Sequence, residues 1–149
     1  MGVAVLSAMR SKDPSTQVGA CIVDEHRRIV SMGYNGFPEG ISDDDFPWDR
    51  DLPDPLDNKY MYVVHAELNA ILNAKTDLRG CTIYVSLFPC NECAKAIIQS
   101  GIRKVVYQSE KGNEKFEIAS RRMFEASGVE MVKLEHKVSL ALAVDGSGK

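Results

Sequence analysis

A histidine and a glutamate two positions apart, His65 and Glu67, precede a cysteine pair, Cys90 and Cys93, by 25 residues, with Pro89 directly before the first thiol. Alone, Cys90-x-x-Cys93 reads as a redox pair or as two core thiols. One imidazole and two thiolates together, however, make three good tetrahedral ligands for Zn²⁺. A structural zinc takes a fourth protein ligand. The remaining histidines, His26 and His136, fall in a turn and near the end of the chain, and Cys21 and Cys81 lie inside apolar runs. A fourth position open to water is therefore expected, and that marks a catalytic site. Glu67 is then the acid–base group, accepting water's proton and returning it. The competing reading is a structural zinc knob with Glu67 as an ordinary first-turn carboxylate.

The spacing restricts where these residues stand. Two positions apart along a helix, His65 and Glu67 point about 200° from each other. They converge only in a first turn, with the site lying over the helix N-terminus. Pro89 also favours a helix start at the cysteines. Zinc is thus expected between two helix N-termini, whose partial positive charge favours thiolates.

The elements that hold this arrangement follow from periodicity and punctuation. Residues 18–23 and 28–34 are apolar runs flanking the polar Asp24-Glu25-His26-Arg27, which predicts a β-hairpin. Residues 35–59 carry four prolines and seven aspartates and read as a long acidic loop, of the kind that is usually functional. A helix is predicted from His65 to Ala74, with Leu68, Ile71 and Leu72 on one face. Strands follow at Cys81–Val85, Arg103–Gln108 and Val129–Leu134, separated by helices ending at Gly101 and spanning roughly 113–127. Strands alternating with helices imply parallel pairing through right-handed crossovers. The expectation is a single α/β domain over residues 1–149, with a five-stranded mixed sheet, helices on both faces and a frayed tail of about ten residues.

Composition excludes several classes. Eighteen basic against 21 acidic residues leave a net charge of −3, which argues against binding a polynucleotide through a basic surface. No apolar run approaches the length that spans a bilayer, and Met1–Leu6 reads as the end of a helix and not as a signal peptide. Four cysteines in 149 residues do not suggest a disulfide scaffold, so a reducing compartment, cytoplasmic or nuclear, is expected.

The spaced motif His65-x-Glu67…Pro89-Cys90-x-x-Cys93 is that of zinc nucleobase deaminases. The resemblance extends through Arg10–Ala20, Gly33–Gly40, Ser42-Asp43-Asp44, Tyr62–Ile71 and Leu87–Lys95, stretches similar to those of the deoxycytidylate (dCMP) deaminases. It covers most of the chain from Val3 to about Lys133. The resemblance implies a cytidine deaminase-like three-layer α-β-α fold and conversion of dCMP to dUMP and ammonia. It implies Zn²⁺ on His65, Cys90 and Cys93, with Glu67 catalytic. It further implies Asn35 at the sugar and the backbone near Ala66 at the ring carbonyl, with Arg10, Ser11 and Lys12 as candidates for the 5′-phosphate. Such proteins are hexamers regulated by dCTP and dTTP at a loop matching Gly33–Gly40, which makes Gly33, Asn35 and Gly36 allosteric candidates, with Mg²⁺ accompanying the triphosphate. An aromatic residue expected after the fourth strand is replaced by Gly112. Three alternatives stay open: a dCTP- or cytidine-preferring domain of a larger protein, a polynucleotide deaminase, and a non-catalytic zinc or nucleotide-binding oligomerisation module.

Overall fold

The computed structural model describes residues 1–112 and 114–146. Eleven elements occur among them: α1 (Gly2–Ala8), β1 (Gly19–Val23), β2 (Ile29–Tyr34), two short 3₁₀ turns (Pro55–Asp57 and Lys59–Met61), α2 (Ala66–Asn73), β3 (Thr82–Leu87), α3 (Asn91–Gln99), β4 (Lys104–Ser109), α4 (Lys115–Ser127) and β5 (Glu130–Lys133). The sheet order is β2-β1-β3-β4-β5. β1 runs antiparallel to β2 and β3, whereas β3, β4 and β5 are parallel. This is the expected five-stranded mixed sheet.

Two glycines show how the layers meet. A Cβ on Gly19 would lie 1.8 Å from the carbonyl oxygen of Ala4, so α1 rests directly on that face of β1. A Cβ on Gly33 would lie 2.4 Å from the Ala70 nitrogen and 2.5 Å from the Ala66 oxygen, so α2 rests equally closely on β2. Gly33 pairs with Ala20, the residue after Gly19, and successive strand residues point to opposite faces. The helices α1 and α2 therefore cover opposite faces, making three layers, with α3 packed beside α2 and α4 beside α3. The central strands are apolar on both sides, and Ile22, Ile83, Val85, Val105, Ile97, Ile102 and Phe124 are fully buried. Fully burying such a side chain contributes roughly 1.5–3 kcal/mol.

Boundaries differ from expectation at the helix starts. The helix predicted from His65 begins at Ala66, and the next begins at Asn91, with Pro89 two residues outside it. At both starts the preceding residue keeps extended backbone because it is the N-cap. The acidic segment is more ordered than a plain loop. Phe37, Phe46, Trp48 and Tyr62 form a small aromatic nucleus, with centroids 5.8 Å (Phe37–Phe46), 4.2 Å (Phe37–Trp48) and 4.9 Å (Phe46–Tyr62) apart. Gly36 and Val64 form an isolated antiparallel bridge that pins the segment's two ends together. Asp145 and Gly146 have no regular structure, while residues 147–149 of the expected frayed tail and Asn113 at the start of the fourth predicted helix lie outside the described residues.

Candidate active site

His65 is the N-cap of α2 (φ −71°, ψ 155°) and Cys90 the N-cap of α3 (φ −70°, ψ 170°). Neither side chain caps its own helix, which leaves both turned to other work. The His65 Nδ1 lies 3.4 Å from the Cys90 Sγ and 3.5 Å from the Cys93 Sγ. Zinc–nitrogen and zinc–sulfur bonds of about 2.0 and 2.3 Å at a tetrahedral angle place nitrogen and sulfur about 3.5 Å apart. The donor set thus fits Zn²⁺ as it stands. Among the described residues it is the only group of three or more potential metal ligands, and it holds no fourth protein donor.

The local electrostatics suit a metal with anionic ligands. The contact from Cys93 and then the one from His65 draw the Cys90 thiol down to about 3, against burial. The same contact, with burial and the nearby Glu67, pushes the Cys93 thiol upward. His65 is raised by its bond to Cys90, with the Glu67 charge adding to that. Glu67, the second residue of α2, is 4 % exposed, and burial raises its carboxyl above the ordinary carboxylate range while His65 opposes the shift. A carboxyl raised in this way holds a proton more readily than an exposed one, which suits an acid–base role.

These groups border a cavity of about 610 Å³ beyond the C-terminal end of β3, lined also by Asp13, Asn35, Arg50, Lys59, Ala66 and Lys111. Of the residues singled out from sequence, His65, Ala66, Glu67, Cys90 and Asn35 meet here, and Cys93 joins them through the ligand cluster. Ala66 is the first residue of α2, where a helix leaves its amides without intrahelical acceptors. Asn35 is fixed by its neighbours: its Oδ1 accepts from the Val18 amide at 2.8 Å, and its Nδ2 donates to Thr16 O at 2.9 Å and Asp13 Oδ2 at 3.3 Å. Its donors are committed, so what it can offer a sugar hydroxyl is the remaining lone pair of Oδ1.

The three phosphate candidates do not reach this cavity. The Ser11 hydroxyl is buried and donates to Asn35 O at 2.8 Å, Lys12 pairs with Asp43 at 2.9 Å on the surface, and the Arg10 guanidinium lies over the Tyr34 ring at 5.2 Å. The helix α1 ends at Ala8, the turn that follows it carries Arg10 to Lys12, and the chain lines the metal cavity only from Asp13 onward. Arg10 lines a second concavity of about 800 Å³, together with Gly33, Gly36 and Tyr34. Gly33 and Gly36 thus face that concavity, whereas Asn35 between them faces the metal cavity.

Several cavity residues carried no sequence signal. Lys59 reaches across 46 residues to Asp13, its Nζ 2.8 and 2.6 Å from the two carboxylate oxygens, with both side chains buried. Glu117 accepts from the amides of Lys111 and Gly112. Phe116 lines the cavity four residues beyond Gly112, the position from which an aromatic residue is missing. Gly112, with a left-handed backbone (φ 70°), turns the chain directly after Lys111.

The profile of the cytidine and deoxycytidylate deaminase zinc-binding region matches residues 1–109. The chain is 55% identical over 141 residues to the deoxycytidylate deaminase of Homo sapiens, covering 93% of this chain and 79% of that one. It is 58% identical over 137 residues to a probable deoxycytidylate deaminase of Drosophila melanogaster, covering 87% and 68%. Among solved structures, the dCMP deaminase of cyanophage S-TIM5 in complex with dCMP and dUMP superposes with a TM-score of 0.67 at 26% identity, over 89% of this chain and 91% of that one. Donor geometry, fold and sequence kinship converge, and the chain belongs to the zinc-dependent cytidine and deoxycytidylate deaminase family.

Proposed function

We propose that this chain hydrolyses dCMP to dUMP and ammonia. The observation that carries the reading is a three-donor His65, Cys90 and Cys93 cluster beside the buried carboxyl of Glu67, bordering a cavity of nucleotide size. Zinc held by the three donors supplies a Lewis acid that makes water a better nucleophile. Glu67 moves the protons: it accepts one from the attacking water and passes it to the ring nitrogen beside the amine. It then takes the proton left on the added oxygen and delivers it to the departing amine, so that water's two hydrogens end on the ring and in ammonia. The first-turn amide of Ala66 donates to the ring carbonyl, and Asn35 Oδ1 accepts from the sugar hydroxyl.

Zinc-loaded protein incubated separately with dCMP, dCTP, cytidine and deoxycytidine, with ammonia release as the readout, tests the proposal. Preferred turnover of dCMP is expected; turnover of dCTP with none of dCMP sinks the substrate assignment and leaves the chemistry. An acidic surface and a net charge of −3 favour a free nucleotide over a polynucleotide. From the resemblance to deoxycytidylate deaminases, the proposal extends to hexamer formation and to regulation by dCTP and dTTP with Mg²⁺. The concavity lined by Arg10, Gly33 and Gly36 has room for such an effector. Sedimentation with and without dTTP and Mg²⁺ tests both. Cytoplasmic or nuclear residence completes the proposal, supported by four cysteines that are all free thiols.

A further inference from the structure

With Arg10, Ser11 and Lys12 directed elsewhere, the charge of a substrate phosphate needs another partner, and the cavity's own cations supply it. Three line it among the described residues: Arg50, Lys59 and Lys111. Lys59 is spent, because both oxygens of the buried Asp13 carboxylate close on its ammonium. Arg50 and Lys111 are not spent. Their nearest acids, Asp51 and Glu114, stand at 3.9 and 4.0 Å, beyond hydrogen-bond reach, and both cationic side chains are about half exposed at the cavity. They come from separate loops, Arg50 from the long acidic segment and Lys111 from the β4–α4 connection.

Lys111 also stands on a fixed backbone. Glu117, 4 % exposed, accepts from the Lys111 amide at 2.7 Å and the Gly112 amide at 2.9 Å, one with each carboxylate oxygen. A buried carboxylate spending both oxygens on two successive amides holds a loop in one place. We propose that Arg50 and Lys111 together bind the 5′-phosphate of the nucleotide, and that Glu117 is a positioning residue acting through Lys111. The inference rests on the deoxycytidine nucleotide reading above and deepens it. Two unspent cations balance the double negative charge of a monophosphate, which makes the pair a device for choosing nucleotide over nucleoside and monophosphate over triphosphate.

The test is binding, read apart from catalysis. The full zinc-loaded protein and its Arg50→Gln, Lys111→Gln and Glu117→Gln variants are titrated with dUMP by calorimetry and with deoxyuridine by saturation-transfer NMR. Each neutral cation variant is expected to weaken dUMP by about tenfold or more, the double variant by about a hundredfold, with deoxyuridine unchanged. Glu117→Gln is expected to weaken dUMP less than Lys111→Gln does, and to add little once Lys111 is already neutral. Arg50→Lys and Lys111→Arg, which keep the charge, are expected to retain most of the affinity. Unchanged dUMP affinity in both neutral variants, or an equal loss for dUMP and deoxyuridine, overturns the assignment. A wild-type protein that binds dUMP through these residues but deaminates no cytosine nucleotide sinks the proposed reaction while upholding the phosphate site.

Discussion

The Asp13–Lys59 pair offers the sharpest stability test, because its two halves are unequally provided for. Besides Lys59, Asp13 receives the amides of Ser15 at 2.8 Å and Thr16 at 3.2 Å, and Asn35 Nδ2 at 3.3 Å. Lys59 Nζ hydrogen-bonds only the two Asp13 oxygens, and the Tyr60 ring stands 5.7 Å away. Removing one partner of a buried pair costs about 3–5 kcal/mol, most of it from the charge left behind. Lys59→Met leaves a carboxylate with three remaining donors and is expected near the low end, about 3 kcal/mol. Asp13→Asn leaves a buried ammonium facing an amide and is expected near the high end, about 5 kcal/mol. The double variant leaves no charge, so its cost should fall short of the sum by roughly 2 kcal/mol. In urea unfolding, with a slope of about 2 kcal/mol per molar, Asp13→Asn should lower the midpoint by about 2.5 M. A Lys59→Met cost equal to or above that of Asp13→Asn, or strictly additive costs, would show that the pair is not the closed unit its distances describe.

Glu67→Gln should reduce turnover by about 10²–10⁴-fold while elemental analysis still finds one zinc per chain; retained turnover would remove Glu67 from the proton path. Gly33→Ala places a Cβ within 2.5 Å of the α2 backbone, and should cost about 1–3 kcal/mol in urea unfolding and lower kcat by displacing the helix that carries Glu67. Glu110→Gln removes ion pairs to Arg121 and Lys133 and should cost about 0.5–1 kcal/mol at neutral pH, as partly exposed pairs do. Lys133, then Arg121, hold the Glu110 carboxyl below its ordinary value, so its contribution is present above about pH 4.5 and lost as pH falls through the depressed value. Wild type and Glu110→Gln should therefore melt together in strong acid and apart at pH 7.

The metal site was legible because it is local. His65 and Glu67, two apart, can meet one point only at a helix start, Cys90 and Cys93, three apart, lie on one helix face behind Pro89, and both helices begin at these motifs. The sheet was legible for a related reason, since apolar runs and glycine stops report each strand by itself. Where Arg10, Ser11 and Lys12 stand, outside the lining of the metal cavity, was not legible, because they were chosen for charge and polarity whereas their destination depends on where α1 docks. That docking is set by contacts such as Gly19 against Ala4, on the far side of the sheet from α2. Lys59, Lys111 and Glu117 went unnoticed because their partners are either distant in sequence or backbone amides, and neither leaves a pattern in residue types.

The aromatic nucleus beneath the acidic segment has a use in spectroscopy. Trp48 is the single tryptophan of the chain, its ring 4.2 Å from Phe37 and its indole N–H donating to Asp43 O at 3.0 Å. It stands two residues before Arg50, which lines the metal cavity from the same segment. Intrinsic tryptophan emission therefore arises from one known place, beside the cavity and apart from the sheet core. Any ligand that shifts the Arg50 segment will change the colour or intensity of that emission without a label, and global unfolding will release the indole to water in the same channel.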